Sequence, residues 1–76
     1  MNTDRNSRYL SQDVHFFAAA LSETLVSVWE EDPASVYVEI ERGYIECYTP
    51  DVVRIRNEET GYLTHYSRDT AMFQRM

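Results

Sequence analysis

The stretch from Val36 to Thr49, VYVEIERGYIECYT, decides the fold class. Apolar Val36, Val38 and Ile40 alternate with Tyr37, Glu39 and Glu41, which is strand periodicity. Arg42-Gly43 then sits between two such runs, where a two-residue hairpin turn needs a residue of positive φ. Tyr44 to Thr49 alternates again, with Ile45 and Cys47 on one side and Tyr44, Glu46 and Tyr48 on the other. With Arg42-Gly43 as the loop, 41 faces 44, 39 faces 46 and 37 faces 48. Both apolar sets then fall on one face, as register requires.

Working outward toward the C-terminus, Thr49-Pro50-Asp51 is turn chemistry. Val52 to Asn57 reads as a third strand, with Val53 and Ile55 inward and Arg54 and Arg56 outward. Glu59-Thr60-Gly61 fits a three-residue hairpin loop with glycine in the left-handed position. That loop places Leu63 and His65 inside and Tyr62, Thr64 and Tyr66 outside. Ser67 is positioned to cap a short helix from Arg68 to about Gln74, which adds Met72 and Phe73 to the core.

Toward the N-terminus the period changes to helical. Ser11 is a candidate N-cap, and Val14, Phe17, Ala18, Leu21, Leu25 and Val28 follow at three- and four-residue steps. Phe16 and Val26 lie off this stripe. Pro33 stops the helix, so it is expected over about 12–31, with Glu30, Glu31 and Asp32 at a solvated exit. Residues 1–10 are polar and aperiodic and read as a flexible arm, pinned by Tyr9 and Leu10, ahead of a single domain over 11–76. The expected fold is therefore α+β in two layers. A long N-terminal helix packs on a four-stranded antiparallel meander, followed by a short C-terminal helix. Its core would be Val14, Phe17, Leu21, Leu25, Val28, Val36, Val38, Ile40, Ile45, Cys47, Val53, Ile55 and Leu63.

Composition narrows the function classes. The chain has 76 residues, 13 acids against 7 bases and a net charge of −6. Every base is arginine and the chain is lysine-free. One cysteine rules out an internal disulfide framework. No apolar run approaches the ~20 residues that span a bilayer. The first ten residues lack an apolar signal core, so a soluble, cytoplasmic protein is expected. The acidic balance opposes binding to a phosphate backbone.

Chemistry has few candidates. Cys47 could be a nucleophile with His65 or His15 as base, but on a strand's inner face it is a small buried hydrophobe. The two histidines and one cysteine lack zinc spacing, and no calcium-loop pattern organises the carboxylates. Two glycines leave no phosphate-cradling loop, so neither cofactor, metal nor enzyme activity is expected. The outward sheet face is more informative. It gathers Tyr37, Glu39, Glu41, Tyr44, Glu46, Tyr48, Arg54, Arg56, Tyr62 and Tyr66. Tyrosine and arginine are enriched at interfaces because each combines large area with hydrogen bonding. Glu39 opposite Glu46 would place like charges face to face. The expected function is a small acidic, non-enzymatic protein–protein interaction module, binding a basic or polar partner or itself as a homodimer. Glu30, Glu31 and Asp32 form a second acidic patch. The alternative is an acidic inhibitor that occupies a basic nucleic-acid-binding surface of a target, of the phage or mobile-element anti-defence (anti-CRISPR-like) type. A third reading stacks single-stranded bases on the tyrosines.

Overall fold

The computed structural model describes residues 8–76. It has one helix, α1 (Asp13–Leu21), followed by five strands: β1 (Val26–Glu31), β2 (Tyr37–Tyr48), β3 (Val52–Asn57), β4 (Leu63–Ser67) and β5 (Ala71–Arg75). They form one antiparallel sheet in the order β4-β3-β2-β1-β5. The expected long helix on a four-stranded meander with a C-terminal helix is therefore incorrect.

Three local causes account for the difference. First, the helix stops at Leu21. Thr24 N–H donates to Ala19 O (3.0 Å) and Glu23 N–H to Ala20 O (3.2 Å), with Glu23 at φ 51. This is the hydrogen-bond pattern of a left-handed helix stop, built without glycine. The β-branched run that follows takes up strand alternation, and Val26 and Val28 are buried. Asp32, expected at a helix exit, instead organises the β1–β2 hairpin. Its carboxylate accepts Ala34 and Val36 N–H at 2.9 and 3.0 Å, around Pro33 and a left-handed Ser35 (φ 65).

Second, Arg42-Gly43 is not a turn. β2 runs through it for 12 residues. Its first half, Tyr37 to Gly43, pairs with β1, and its second half, Gly43 to Tyr48, pairs with β3. Gly43 is buried at the crossover, and a Cβ there would stand 2.2 Å from Arg56 O and 2.7 Å from Ile55 Cγ2. Ile40 and Glu46 are each skipped in the pairing, so a bulge flanks the crossover on either side. Bulges increase bend and twist, and a strand so bent can serve two half-sheets.

Third, Arg68-Asp69-Thr70 is a short turn, and Ala71 and Phe73 alternate inward along β5. This turn joins the two outermost strands. Five flat strands ~4.8 Å apart would separate those edges by about 19 Å. The link from Ser67 to Ala71 spans at most about 15 Å. The sheet must curl, and the Tyr66 and Phe73 rings meet across the seam at 6.4 Å. Residues 9 and 10 cover part of the outer edge of β5, through a Tyr9–Gln74 bridge and a 2.9 Å bond from Leu10 N–H to Phe73 O. Residues 1–7 of the expected arm lie outside the described residues.

The curl places Phe16, Val26, Val28, Ile45, Val53, Ile55 and Phe73 at the centre. The Phe16 ring lies 5.5 Å from Phe73 and 5.9 Å from Tyr48. The expected core is thus only partly realised. Val28, Ile45, Val53 and Ile55 are buried, whereas Val14, Phe17, Leu21, Val36, Val38, Ile40, Cys47 and Leu63 are exposed. Phe16 and Val26, expected off the packed stripe, are 1% and 0% exposed. No helix among the described residues is long and apolar enough to cross a membrane.

Two substitutions probe this backbone. Gly43→Ala is expected to cost about 3 kcal/mol or more of unfolding free energy, measured by denaturant titration, because the nearest obstacle is backbone. Glu23→Gly is expected to add about 0.5–1 kcal/mol by relieving a left-handed non-glycine residue.

Candidate functional site

Of the ten residues expected on one outer face, nine divide into three groups and Glu39 stands by itself, paired with Arg42. Tyr44, Arg54 and Arg56 lie on the convex face of β2 and β3, with Glu46 in the bulge beside them. Opposite residues in an antiparallel ladder share a face. One row is therefore Tyr44–Arg56–Leu63 and the next Cys47–Arg54–His65. The Arg56 guanidinium stands 5.2 Å over the Tyr44 ring, and its Nε donates to Glu46. That hydrogen bond is the main reason the Arg56 pKa is raised. Arg54 Nε is buried without a hydrogen-bond partner. The expected clash of Glu39 with Glu46 does not arise. Glu39 faces Trp29 across the ladder and accepts from Arg42, while Glu46 accepts from Arg56.

Glu41, Tyr48 and Tyr66 turn toward the interior. Tyr48 and Tyr66 pack against the core. Tyr66 OH donates to Glu41 Oε1, and Asn57 Nδ2 donates to Glu41 Oε2 at 2.9 Å. Tyr66 faces inward because the β3–β4 loop is one residue longer than expected. Asn57 pairs with Tyr62 around Glu58–Gly61, and the Asn57 carboxamide accepts Glu59 and Thr60 N–H at 2.8 and 2.9 Å. Gly61 does take the left-handed conformation, at φ 77. The extra residue exchanges the faces of β4, so Leu63 and His65 point out and Thr64 and Tyr66 in. Burial, then the adjacent Glu41 carboxylate, push the Tyr66 pKa well above the usual tyrosine range.

Tyr37 and Tyr62 stand apart from both groups. Tyr62 is exposed at the β3–β4 loop, and Tyr37 is exposed at the start of β2, the far end from Tyr48. Around Tyr37, Val36 just before β2 and Val38 and Ile40 in its first half are exposed. A hollow of about 380 Å³ beside it is lined by Glu30, Glu31, Tyr37, Asp69 and Thr70. Glu30 and Glu31 thus belong to the end of β1 rather than to a helix exit. The second apolar surface is α1 itself. Phe16 and Ala19 dock the helix, while Val14, Phe17 and Leu21 point to solvent at 61%, 54% and 74% exposure.

Cys47 and His65 share a row but are separated by Arg54, so they stand about 10 Å apart, beyond hydrogen-bond reach. His15 is a local structural acceptor, its Nδ1 taking Ser11 and Gln12 N–H at 3.1 and 3.2 Å. The helix N-cap is Gln12, one residue after the expected Ser11. Sequence reading missed Arg68. Its Nη1 donates to Asp13 (2.8 Å) and to Thr49 O (2.6 Å), its Nη2 to Ser11 O (3.3 Å), and its Cζ lies 4.4 Å over Phe16. These partners are 19 to 57 positions away, and no local pattern announces them. Arg68 thereby ties the start of α1 to the β2–β3 turn and to the β4–β5 link.

The Tyr66–Glu41 contact generates a pH prediction. A tyrosine whose folded pKa is raised leaves stability unchanged below the unfolded value of about 10. Above it the unfolded chain ionises first, so stability falls as pH rises toward the folded value. Between pH 9.5 and 11.5 the wild-type protein should lose more urea resistance than Tyr66→Phe. Parallel losses would show that Tyr66 ionises as freely in the folded chain as in the unfolded one.

Comparison of the chain with protein-family models, with curated proteins and with solved structures finds no match.

Proposed function

We propose that this protein is a small non-enzymatic module that binds another protein. The observation that carries this reading is the orientation of α1. Its regular apolar stripe, Val14, Phe17 and Leu21, faces water rather than the sheet. Folding makes little use of those side chains, because Phe16, Ala19 and the Arg68 contacts already hold the helix. Contiguous exposed apolar patches mark contact surfaces, and three large side chains at helical spacing fit a groove or a partner helix. The partner is taken to be another protein rather than a second copy. A second copy would bring together two chains of net charge −6 each. That charge also favours a partner with a basic surface.

One observation favours a narrower version. Carboxylates gather on both sides of the first half of β2, with Glu30, Glu31 and Asp69 in one hollow and Glu39, Glu41, Glu58 and Glu59 in another. Such clusters could take the place of phosphates on a basic nucleic-acid-binding surface, which makes the module an inhibitor of its target. Base stacking gains less support, since Arg56 already covers one face of Tyr44.

Phe17→Ser and Leu21→Ser test the module reading. Each should leave the melting temperature within about 2–3 °C, as exposed substitutions do. Each should also abolish capture of the partner from native lysate, identified by mass spectrometry. Unchanged capture, or melting losses above about 5 °C in both variants, would contradict it. So would a stable wild-type dimer that Leu21→Ser dissociates.

A further inference from the structure

Beside the first half of β2 there is an unused strand position. β1 accompanies β2 from Tyr37 to Gly43, but β3 accompanies it only from Gly43 onward. Beyond Asn57 a last bond runs from Glu58 N–H to Arg42 O at 3.0 Å, and the chain then turns into the β3–β4 loop. No strand among the described residues pairs with that side of Tyr37–Glu41.

The ladder fixes which backbone groups face the gap. Asp32 N–H donates to Val36 O at 2.8 Å across the β1–β2 hairpin. Hydrogen bonding alternates along an antiparallel pair. Val36 and Val38 therefore address β1, and the N–H and C=O of Tyr37 and Glu39 point away from it. In the line of β3 beyond its end lies a notch of about 470 Å³, lined by Glu39, Ile40, Glu41, Arg42, Asn57, Glu58 and Glu59. Tyr37, Val38 and Ile40 are exposed along the same stretch. An open strand edge with exposed apolar side chains is a template for another strand.

Charge selects the occupant. Four carboxylates and one arginine line the notch, and that arginine, Arg42, is held by Glu39. Three more carboxylates, Glu30, Glu31 and Asp69, line the hollow beside Tyr37. A second copy would set one acidic rim against another. The chain's own first seven residues carry one acid and one base, Asp4 and Arg5, and offer no basic complement. We propose that Tyr37–Glu41 accepts an extended, basic segment of another protein as an added β-strand, its arginines or lysines meeting the acidic rims. This deepens the protein-binding reading and rests on it. At about 3.3 Å per residue the edge takes five or six residues of partner.

The test uses the full chain and a peptide of alternating arginine and valine, RVRVRVR. Binding is read from the single tryptophan, Trp29, which stands opposite Glu39, and from residue-resolved amide shifts. The peptide should bind, with shifts concentrated at Tyr37–Glu41, and weaken about tenfold between 50 and 300 mM salt. The same peptide N-methylated at alternate amides keeps its charge but cannot complete the ladder, and should bind at least about tenfold more weakly. A glutamate–valine peptide should not bind. The charge-reversed variant Glu58→Arg/Glu59→Arg, confined to an exposed loop, should weaken binding about tenfold with no loss of melting temperature. Equal binding of the N-methylated peptide would mean charge attraction without strand addition and would overturn the proposal. Shifts centred on β4, or no binding at 50 mM salt, would also overturn it. So would concentration-dependent shifts of Tyr37 and Glu39 in the free protein, because the edge would then be filled by a second copy. If these results fail while Phe17→Ser and Leu21→Ser still abolish partner capture, the module reading stands and only the strand site falls.

Discussion

The close approach of β2 and β3 at Gly43 is the constraint on which the architecture depends. Only a residue without Cβ allows the Arg56 carbonyl to pass at this distance. The strand can then bend, with bulges at Ile40 and Glu46 on either side of the bend. Bending turns one long strand into the shared member of two half-sheets. The half-sheets curl until β4 and β5 are close enough for a three-residue link. The curl in turn creates the interior that Phe16, Phe73 and Tyr48 fill. It also leaves the first half of β2 with β1 on one side and no strand among the described residues on the other, so the unpaired edge follows from the fold.

The helix obeys the same economy. Nine residues are too few for a helix stable on its own. It is held by Phe16 in the open end of the curled sheet and by Arg68, whose donors reach three segments at once. Because one aromatic side chain and one cation suffice, the stripe Val14–Phe17–Leu21 is released to the surface. Two apolar surfaces, one on α1 and one on β2, therefore remain after the core is complete. In a chain this short, such exposure costs solubility and is difficult to justify on folding grounds alone.

Much of the sheet was legible in the residues and much was not, for reasons that can be located. Thr49-Pro50-Asp51 and the strand Val52–Asn57 were readable because turn chemistry and alternation agree there. Thr49 Oγ1 accepts the N–H of Asp51 and Val52 at 3.2 and 3.0 Å. Gly61 was readable because its φ is positive. Gly43 was not, because glycine between two alternating runs suits a tight turn and a sharply bent strand equally well. Tertiary packing against Arg56 decided between them. The helix limit was hidden for a related reason. Leu25 and Val28 continue the helical spacing of Leu21, while Val26 and Val28 also satisfy a strand. The stop at Glu23 lacks the glycine that would have marked it. Of the expected surface set, Tyr44, Glu46, Arg54 and Arg56 come together as neighbours. Tyr66, Glu41 and Tyr48 do not: one extra loop residue turned Tyr66, the absent turn at Arg42-Gly43 turned Glu41, and the bulge at Glu46 turned Tyr48.

β2 is a continuous strand, paired with β1 and β3 in succession and open beside its first half. Residue-resolved amide hydrogen exchange of the free protein tests it most directly. Slow exchange is expected at Val38, which donates toward β1, and fast exchange at Tyr37 and Glu39, which face the gap. Exchange at Tyr37 and Glu39 as slow as at Val38, with Arg42 and Gly43 behaving as an open hairpin turn, would contradict it.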